Sequence, residues 1–294
     1  MTKNKSKRIS PSMVFLLIAV LVLGVAVAGY AFLGSPQLPA GGGVSQEDSG
    51  SAETQAPLST LPPDSQVPES GAPSSSGGIQ IPDDVQWSEI RGRPLDNVEN
   101  LLQNPELPTG CEATAATILL RAYGYDVDKE LVARALPKGQ FTTYEGRRYG
   151  PHPDEAFLGN PFSNAGYGVF AAPIRQAMEA VVARAGGRHT VTDLTGAAQG
   201  DILACIDRGT PVCIWTTMSL VPVAYRTSWY IQRIDGTYTD EEFTWPDNEH
   251  CMVLIGYTDT TVTVLDPRKG KTSYDRSRFF QRHEDVGGFA LILE

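Results

Sequence analysis

Cys111 stands at the head of an Ala- and Leu-rich run, directly behind the Pro-punctuated stretch Gln103-Asn104-Pro105-Glu106-Leu107-Pro108-Thr109-Gly110. A thiol becomes a nucleophile when its surroundings favour the thiolate, and the first turn of a helix does so through the positive end of the backbone dipole. Thr109 is a good N-cap and Glu112 follows three residues later. The pair spells a capping box that makes Cys111 the second helical residue, N2. Residues 113–123 are dense in helix formers, and Gly124 supplies a stop. A cysteine is also a common buried core residue, so taken alone Cys111 leaves both readings open.

A nucleophilic cysteine needs a base to take its proton and a third group to orient that base. The chain offers four histidines. His152 lies in a Gly/Pro-rich stretch, His189 follows Gly186-Gly187, and His283 sits among charges; each reads as solvent-facing or locally bonded. His250 differs, because it directly precedes the strand-like run Cys251 to Tyr257. A turn at Asp259 leads into a second run, Thr261 to Leu265, that ends at Asp266-Pro267. A hairpin of this length sets the start of its first strand beside the end of its second, so His250 and Asp266 are expected to be neighbours. Asp266 would then hold one imidazole nitrogen and leave the other for Cys111.

The elements that must position these residues are legible in outline. Asp128 reads as the N-cap of a helix over residues 129–136, and helices are expected over 172–185 and 200–208. Short Val/Ile/Leu/Thr-rich runs at 211–217, 251–257, 261–265 and 289–293 read as strands. Helices come early and strands late, which is an α+β order with an antiparallel sheet. Residues 139–168 and 218–249 read as loops, the first a glycine-punctuated stretch suited to a cleft wall.

A cysteine on a helix N-terminus followed by His and Asp on strands resembles the papain-like cysteine peptidases, in their chain order Cys, His, acid. The phrases Pro105-Glu106-Leu107-Pro108-Thr109-Gly110-Cys111-Glu112-Ala113, Gly159-Asn160-Pro161, Gly166-Tyr167-Gly168-Val169, Pro211-Val212-Cys213-Ile214-Trp215, Glu249-His250-Cys251 and Asp266-Pro267 look more narrowly like the exported bacterial branch of the bacteriocin-processing-peptidase-like (peptidase C39-like) family. The resemblance covers most of residues 97–294. It implies a papain-like α+β fold with N-terminal helices packed on a C-terminal antiparallel sheet. It implies Cys111 as nucleophile, His250 as general base and acid, and Asp266 as the orienting residue. Gln103 would donate to the oxyanion together with the backbone N–H of Cys111; the segment between them is longer than in papain, so a bulged loop must bring Gln103 back.

The implied reaction is thiolate attack on a peptide or amide bond through a thioester, with an acceptor amine in place of water giving a transpeptidase or acyltransferase. A reading from another class is a binding module that keeps the fold without turnover, with the region of Trp215, Trp229 and Trp245 as its ligand surface. No cofactor is expected. No metal is expected either, because His250, Cys251, Cys205 and Cys213 lack paired zinc-ligand spacing. A bridge between Cys205 and Cys213, or Cys213 and Cys251, is left open by sequence. No second apolar run and no phosphate loop appear, so coupled peptide export is not expected.

The chain has 294 residues and a formal charge of −10, and that acidity argues against nucleic acid as a partner. Residues 1–13 form a basic tail with Lys3, Lys5, Lys7 and Arg8, and residues 14–33 are apolar and uncharged, long enough to cross a bilayer. From Ile9 to Ile90 there is no Lys or Arg, so the basic flank would lie in the cytoplasm and the rest outside the cell membrane. The alternative is a signal sequence cleaved after Ala26-Val27-Ala28, giving a secreted protein. Residues 34–82 read as an acidic Ser/Pro/Gly-rich linker, and residues 83–294 as the catalytic domain. The expected partner is a peptide or protein substrate, associated with the cell envelope.

Overall fold

The longest helices form where helix formers gather in the first half of the folded part, and the longest strands form in the second half, with short strands and two further helices interleaved. The structure is a computed structural model and describes residues 81–294. The basic tail, the apolar run and the linker up to residue 80 lie outside the described residues. Among the described residues no helix is long and apolar enough to cross a membrane.

In chain order the elements begin with β1 (Gln86–Trp87), α1 (Cys111–Ala122), β2 (Tyr125–Asp126), α2 (Lys129–Ala135), β3 (Lys138–Gly139), β4 (Thr142–Tyr144), β5 (Arg147–Gly150) and β6 (Phe157–Leu158). Then come α3 (Ala171–Arg184), β7 (Val191–Asp193), α4 (Gln199–Asp207), β8 (Val212–Thr217), β9 (Tyr225–Gln232) and β10 (Tyr238–Pro246). The C-terminal part is β11 (Glu249–Tyr257), β12 (Thr261–Asp266), β13 (Gly270–Asp275), α5 (Arg276–Asp285) and β14 (Ala290–Leu293). Asp128 caps α2 by accepting the Leu131 N–H, as its position before the helix predicts.

Six strands in the order β13-β12-β11-β8-β14-β7 make one antiparallel sheet. Strand alternation splits the core between its two faces. Cys251 and Val253 of β11 pack with α1 and α3, whereas Met252 and Leu254 pack with α4 and α5. This is consistent with a papain-like α+β fold, but the expected order of helices first and sheet after holds only in part: β7 precedes α4, and α5 lies between β13 and β14. α1 is buried on every side except at Arg121, so its sequence carries no amphipathic stripe.

Two stretches that read as loops carry structure. Residues 139–168 contain β4, β5 and β6, and residues 218–249 contain the β9–β10 hairpin. They join as a second sheet, β10-β9-β5-β4, in which β5 runs parallel to β9. Their alternation is masked because so few positions face inward: Trp229 and Ile231 are buried in β9, while Tyr225, Arg226 and Ser228 are exposed. Trp215, Trp229 and Trp245 are all buried, so the aromatic ligand surface expected there is not available. The indole N–H of Trp215 donates to Val169 O, and that of Trp229 to Pro151 O.

The loop from Gly159 to Val169 seats against the start of α1. A Cβ on Gly168 would lie 2.7 Å from Glu112 Oε1 and 2.9 Å from the Trp245 ring, and one on Gly166 would collide with Thr109 Oγ1. Only glycine lets the two segments approach this closely. Gly168→Ala is therefore expected to lower the unfolding free energy by about 1–3 kcal/mol, measured by denaturant melts. An unchanged midpoint would show that the loop does not sit on α1 in this way.

Candidate active site

The N-cap of α1 is Gly110, and no side chain caps the helix. The capping box expected from Thr109 and Glu112 does not form, and Cys111 is the first helical residue rather than the second. Both side chains are drawn to the neighbouring loop instead. Thr109 Oγ1 donates to Ser163 O at 3.0 Å, and Glu112 Oε1 accepts the Val169 N–H at 2.8 Å. Gly110 fits because a Cβ there would stand 2.8 Å from Leu107 Cβ.

Before the helix, the bulged loop is clasped by Gln103. Its backbone N–H donates to Pro267 O at 2.7 Å, and its Nε2 donates to Leu107 O at 3.1 Å and Pro108 O at 2.8 Å. Both amide hydrogens are thus committed to the loop, and Oε1 is buried without a partner. Lys129 Nζ adds a bond to Gln103 O at 3.0 Å and an ion pair with Glu106 at 2.7 Å.

Cys111 is 8 % exposed, and its thiol donates to Glu112 Oε2 at 3.2 Å. β11 delivers Glu249 to the same place. The sulfur and one oxygen from each of the two carboxyls all lie within 4.8 Å of one another. Burial pushes the Cys111 thiol well above its usual range, and Glu112 and Glu249 push it the same way against the Cys251 backbone N–H. The thiolate expected from the helix dipole is therefore not the resting form, because one helix turn does not outweigh burial beside two carboxyls. Burial raises Glu112 to about 7 despite the N–H donors around it. Burial, then Glu112, raises Glu249 well above the carboxylate range.

His250 Nε2 and Asp266 Oδ1 are 2.8 Å apart, with both side chains buried. Asp266 also accepts the Arg268 N–H at 2.8 Å and the Tyr274 hydroxyl at 3.2 Å. Burial alone would raise Asp266; the bonds from His250, Arg268 and Tyr274 outweigh it and hold the carboxyl below its usual range. A cavity of about 210 Å³ opens beside the pair, lined also by Met218, Ser219, Arg268 and Lys269.

Alternation along β11 turns Glu249 and Cys251 toward α1, and His250 toward Asp266. The thiol is bonded to Glu112 and the imidazole to Asp266. No hydrogen bond joins Cys111 to His250, although the thiol lies against the two residues that flank His250. The other histidines are engaged elsewhere: His189 Nδ1 with Tyr125 at 2.7 Å, His283 Nδ1 with Trp215 O at 2.9 Å, and His152 with the Asp154 N–H at 3.2 Å. All four cysteines are free; the Cys213 and Cys251 sulfurs touch at 3.3 Å as thiols.

Residues 95–290 match the family described as the Peptidase_C39 like family. The chain belongs to this family. The uncharacterized protein YvpB of Bacillus subtilis (strain 168) is 30 % identical over 210 residues, covering 70 % of this chain and 78 % of YvpB. A crystal structure described as that of a C39-like peptidase from Bacillus anthracis superposes with a TM-score of 0.58 at 30 % identity, covering 68 % of this chain and 96 % of that one. Membership in a C39-like family points to peptidase chemistry of the cysteine type.

Sequence reasoning missed the second role of two acids. The sequence places Glu112 in a capping box and Glu249 beside His250, whereas the fold sets both carboxyls against the Cys111 thiol. The available signal was that each adjoins a chemistry-bearing residue inside an otherwise apolar element.

Two outcomes follow from the titrations. Folded Glu112 keeps its proton up to about pH 7, whereas an ordinary glutamate near 4.5 has released it. Between those values the folded state binds more protons, so stability is full below about 4.5 and falls as pH rises toward 7. Glu112→Gln is expected to flatten the fall in melting temperature across that window, and equal slopes would contradict the assignment. Alkylation of Cys111 by iodoacetamide in the resting protein is expected to keep rising with pH past 9.0, the usual thiol value. A plateau below neutrality would show a thiolate at rest.

Proposed function

We propose that this protein is a membrane-anchored, extracellular cysteine peptidase or amidase, with Cys111 as nucleophile, His250 as proton carrier and Asp266 as its orienting partner. The observation that carries the reading is the buried 2.8 Å bond between His250 and Asp266, set on β11 between the two residues that touch the thiol. A carboxylate on Nε2 takes the imidazole proton there and leaves Nδ1 as the acceptor. Membership in the C39-like family supports the class of reaction.

Because the resting thiol is neutral, deprotonation accompanies attack. With substrate bound, His250 Nδ1 accepts the S–H proton as sulfur bonds to the carbonyl carbon. The same proton passes to the leaving amine as the C–N bond breaks, leaving a Cys111 thioester. Water, deprotonated by His250, then cleaves the thioester and restores the thiol. The oxyanion would meet the Cys111 N–H, which has no intrahelical partner at this position. Gln103 would join once its amide releases one of the two carbonyls it now holds. The apolar run 14–33 behind a basic tail supports an anchor with the catalytic domain outside the cell.

Incubating the full-length protein with a mixture of oligopeptides and reading cleavage by mass spectrometry tests the proposal. Cleavage is expected from the wild type and a loss of about 10³-fold or more in Cys111→Ala and His250→Ala. Undiminished cleavage by Cys111→Ala would overturn it.

A further inference from the structure

Three groups that become anions on losing a proton are buried together at the start of α1. Cys111 is 8 % exposed, Glu112 0 % and Glu249 7 %. No Lys or Arg among the described residues pairs with either carboxyl: Glu112 bonds to the Val169 N–H and the thiol, and Glu249 Oε1 has no hydrogen-bond partner at all. A buried carboxyl oxygen without a donor is costly, and this one belongs to a carboxyl that lies against the other two groups. Such a cluster is neutralised either by protons or by a cation at its centre.

We propose that Cys111 Sγ, Glu112 and Glu249 form a binding site for a divalent cation of the zinc class. The sulfur and the two carboxylate oxygens lie within 4.8 Å of one another. Zinc holds sulfur at about 2.3 Å and oxygen at about 2.0–2.2 Å, so small side-chain movements close the set around one ion. A thiolate donor favours zinc or cobalt over magnesium or calcium. Three protein ligands leave a fourth position for water, reached where the thiol keeps its slight exposure. Binding releases the thiol proton and the protons held by the carboxyls, and it forms one metal–sulfur and two metal–oxygen bonds.

His250 takes no part, because the ligand atoms that lie within 4.8 Å of one another come from Cys111, Glu112 and Glu249. The site therefore differs from capture of zinc by a Cys-His pair. Its consequence for turnover rests on Cys111 being the nucleophile: the bound ion would occupy the thiolate and hold the enzyme inactive until the metal is withdrawn. The binding itself does not depend on that reading.

The test titrates full-length protein with Zn²⁺ and follows iodoacetamide labelling of Cys111 by peptide mass mapping. Zn²⁺ is expected to protect Cys111 in the wild type and in His250→Ala alike. Glu249→Gln is expected to weaken protection about tenfold or more, with circular dichroism confirming its fold; Glu249→Asp serves the same purpose if the amide does not fold. Co²⁺ is expected to give a sulfur-to-cobalt charge-transfer absorption that disappears in Cys111→Ser. The proposal is overturned if Zn²⁺ gives no protection, or if protection is lost in His250→Ala but kept in Glu249→Gln. A cobalt band that survives in Cys111→Ser would place the metal on Cys213 and Cys251 and also overturn it. None of these readings requires peptide cleavage, so failure of the peptidase reading shows separately.

Discussion

The site depends on where the Glu112 carboxyl goes. It is fully buried, one oxygen taking the Val169 N–H and the other the Cys111 thiol. Together with Thr109, which bonds to Ser163 O, that side chain pins the loop from Gly159 to Val169 to the start of α1, and it accepts the bond from the thiol. The absence of a Cβ at Gly168 is what admits it.

Burial then decides the electrostatics. On the α1 side of β11, two carboxyls and a thiol share a place where no Lys or Arg among the described residues pairs with them, and all three are pushed toward their neutral forms. Where β12 ends beside the start of β11, Asp266 is held below its usual range by its bonds with His250, Arg268 and Tyr274. The two groups meet on consecutive residues of one strand, Glu249, His250 and Cys251. The thiol is bonded to Glu112 and the imidazole to Asp266, and both sets of contacts are anchored on this one strand.

Much of this was legible in the residues. The apolar runs at 211–217, 251–257, 261–265 and 289–293 lie in β8, β11, β12 and β14, because central strands announce themselves by continuous burial. The length of the β11–β12 hairpin sufficed to set His250 beside Asp266. Thr109 and Glu112 misled, since the residue types that cap a helix also make long-range bonds, and only the fold reveals which. The dipole argument for a low thiol pKa failed for a related reason: it is local, whereas Glu249 arrives from 138 positions downstream. β9 and β10 are not legible because few of their positions are buried, and β10 carries the exposed acids Asp240, Glu241 and Glu242. Gln103 is close to the helix start, as the chain suggests, yet its amide is occupied by the very loop that brings it back.

The most direct measurement is covalent. Full-length protein would be mixed with an activated peptide ester, quenched in acid and mapped by mass. The account predicts one acyl group, on Cys111, that does not accumulate in His250→Ala. Acylation of another residue, or of Cys111 at the same rate without His250, would contradict it.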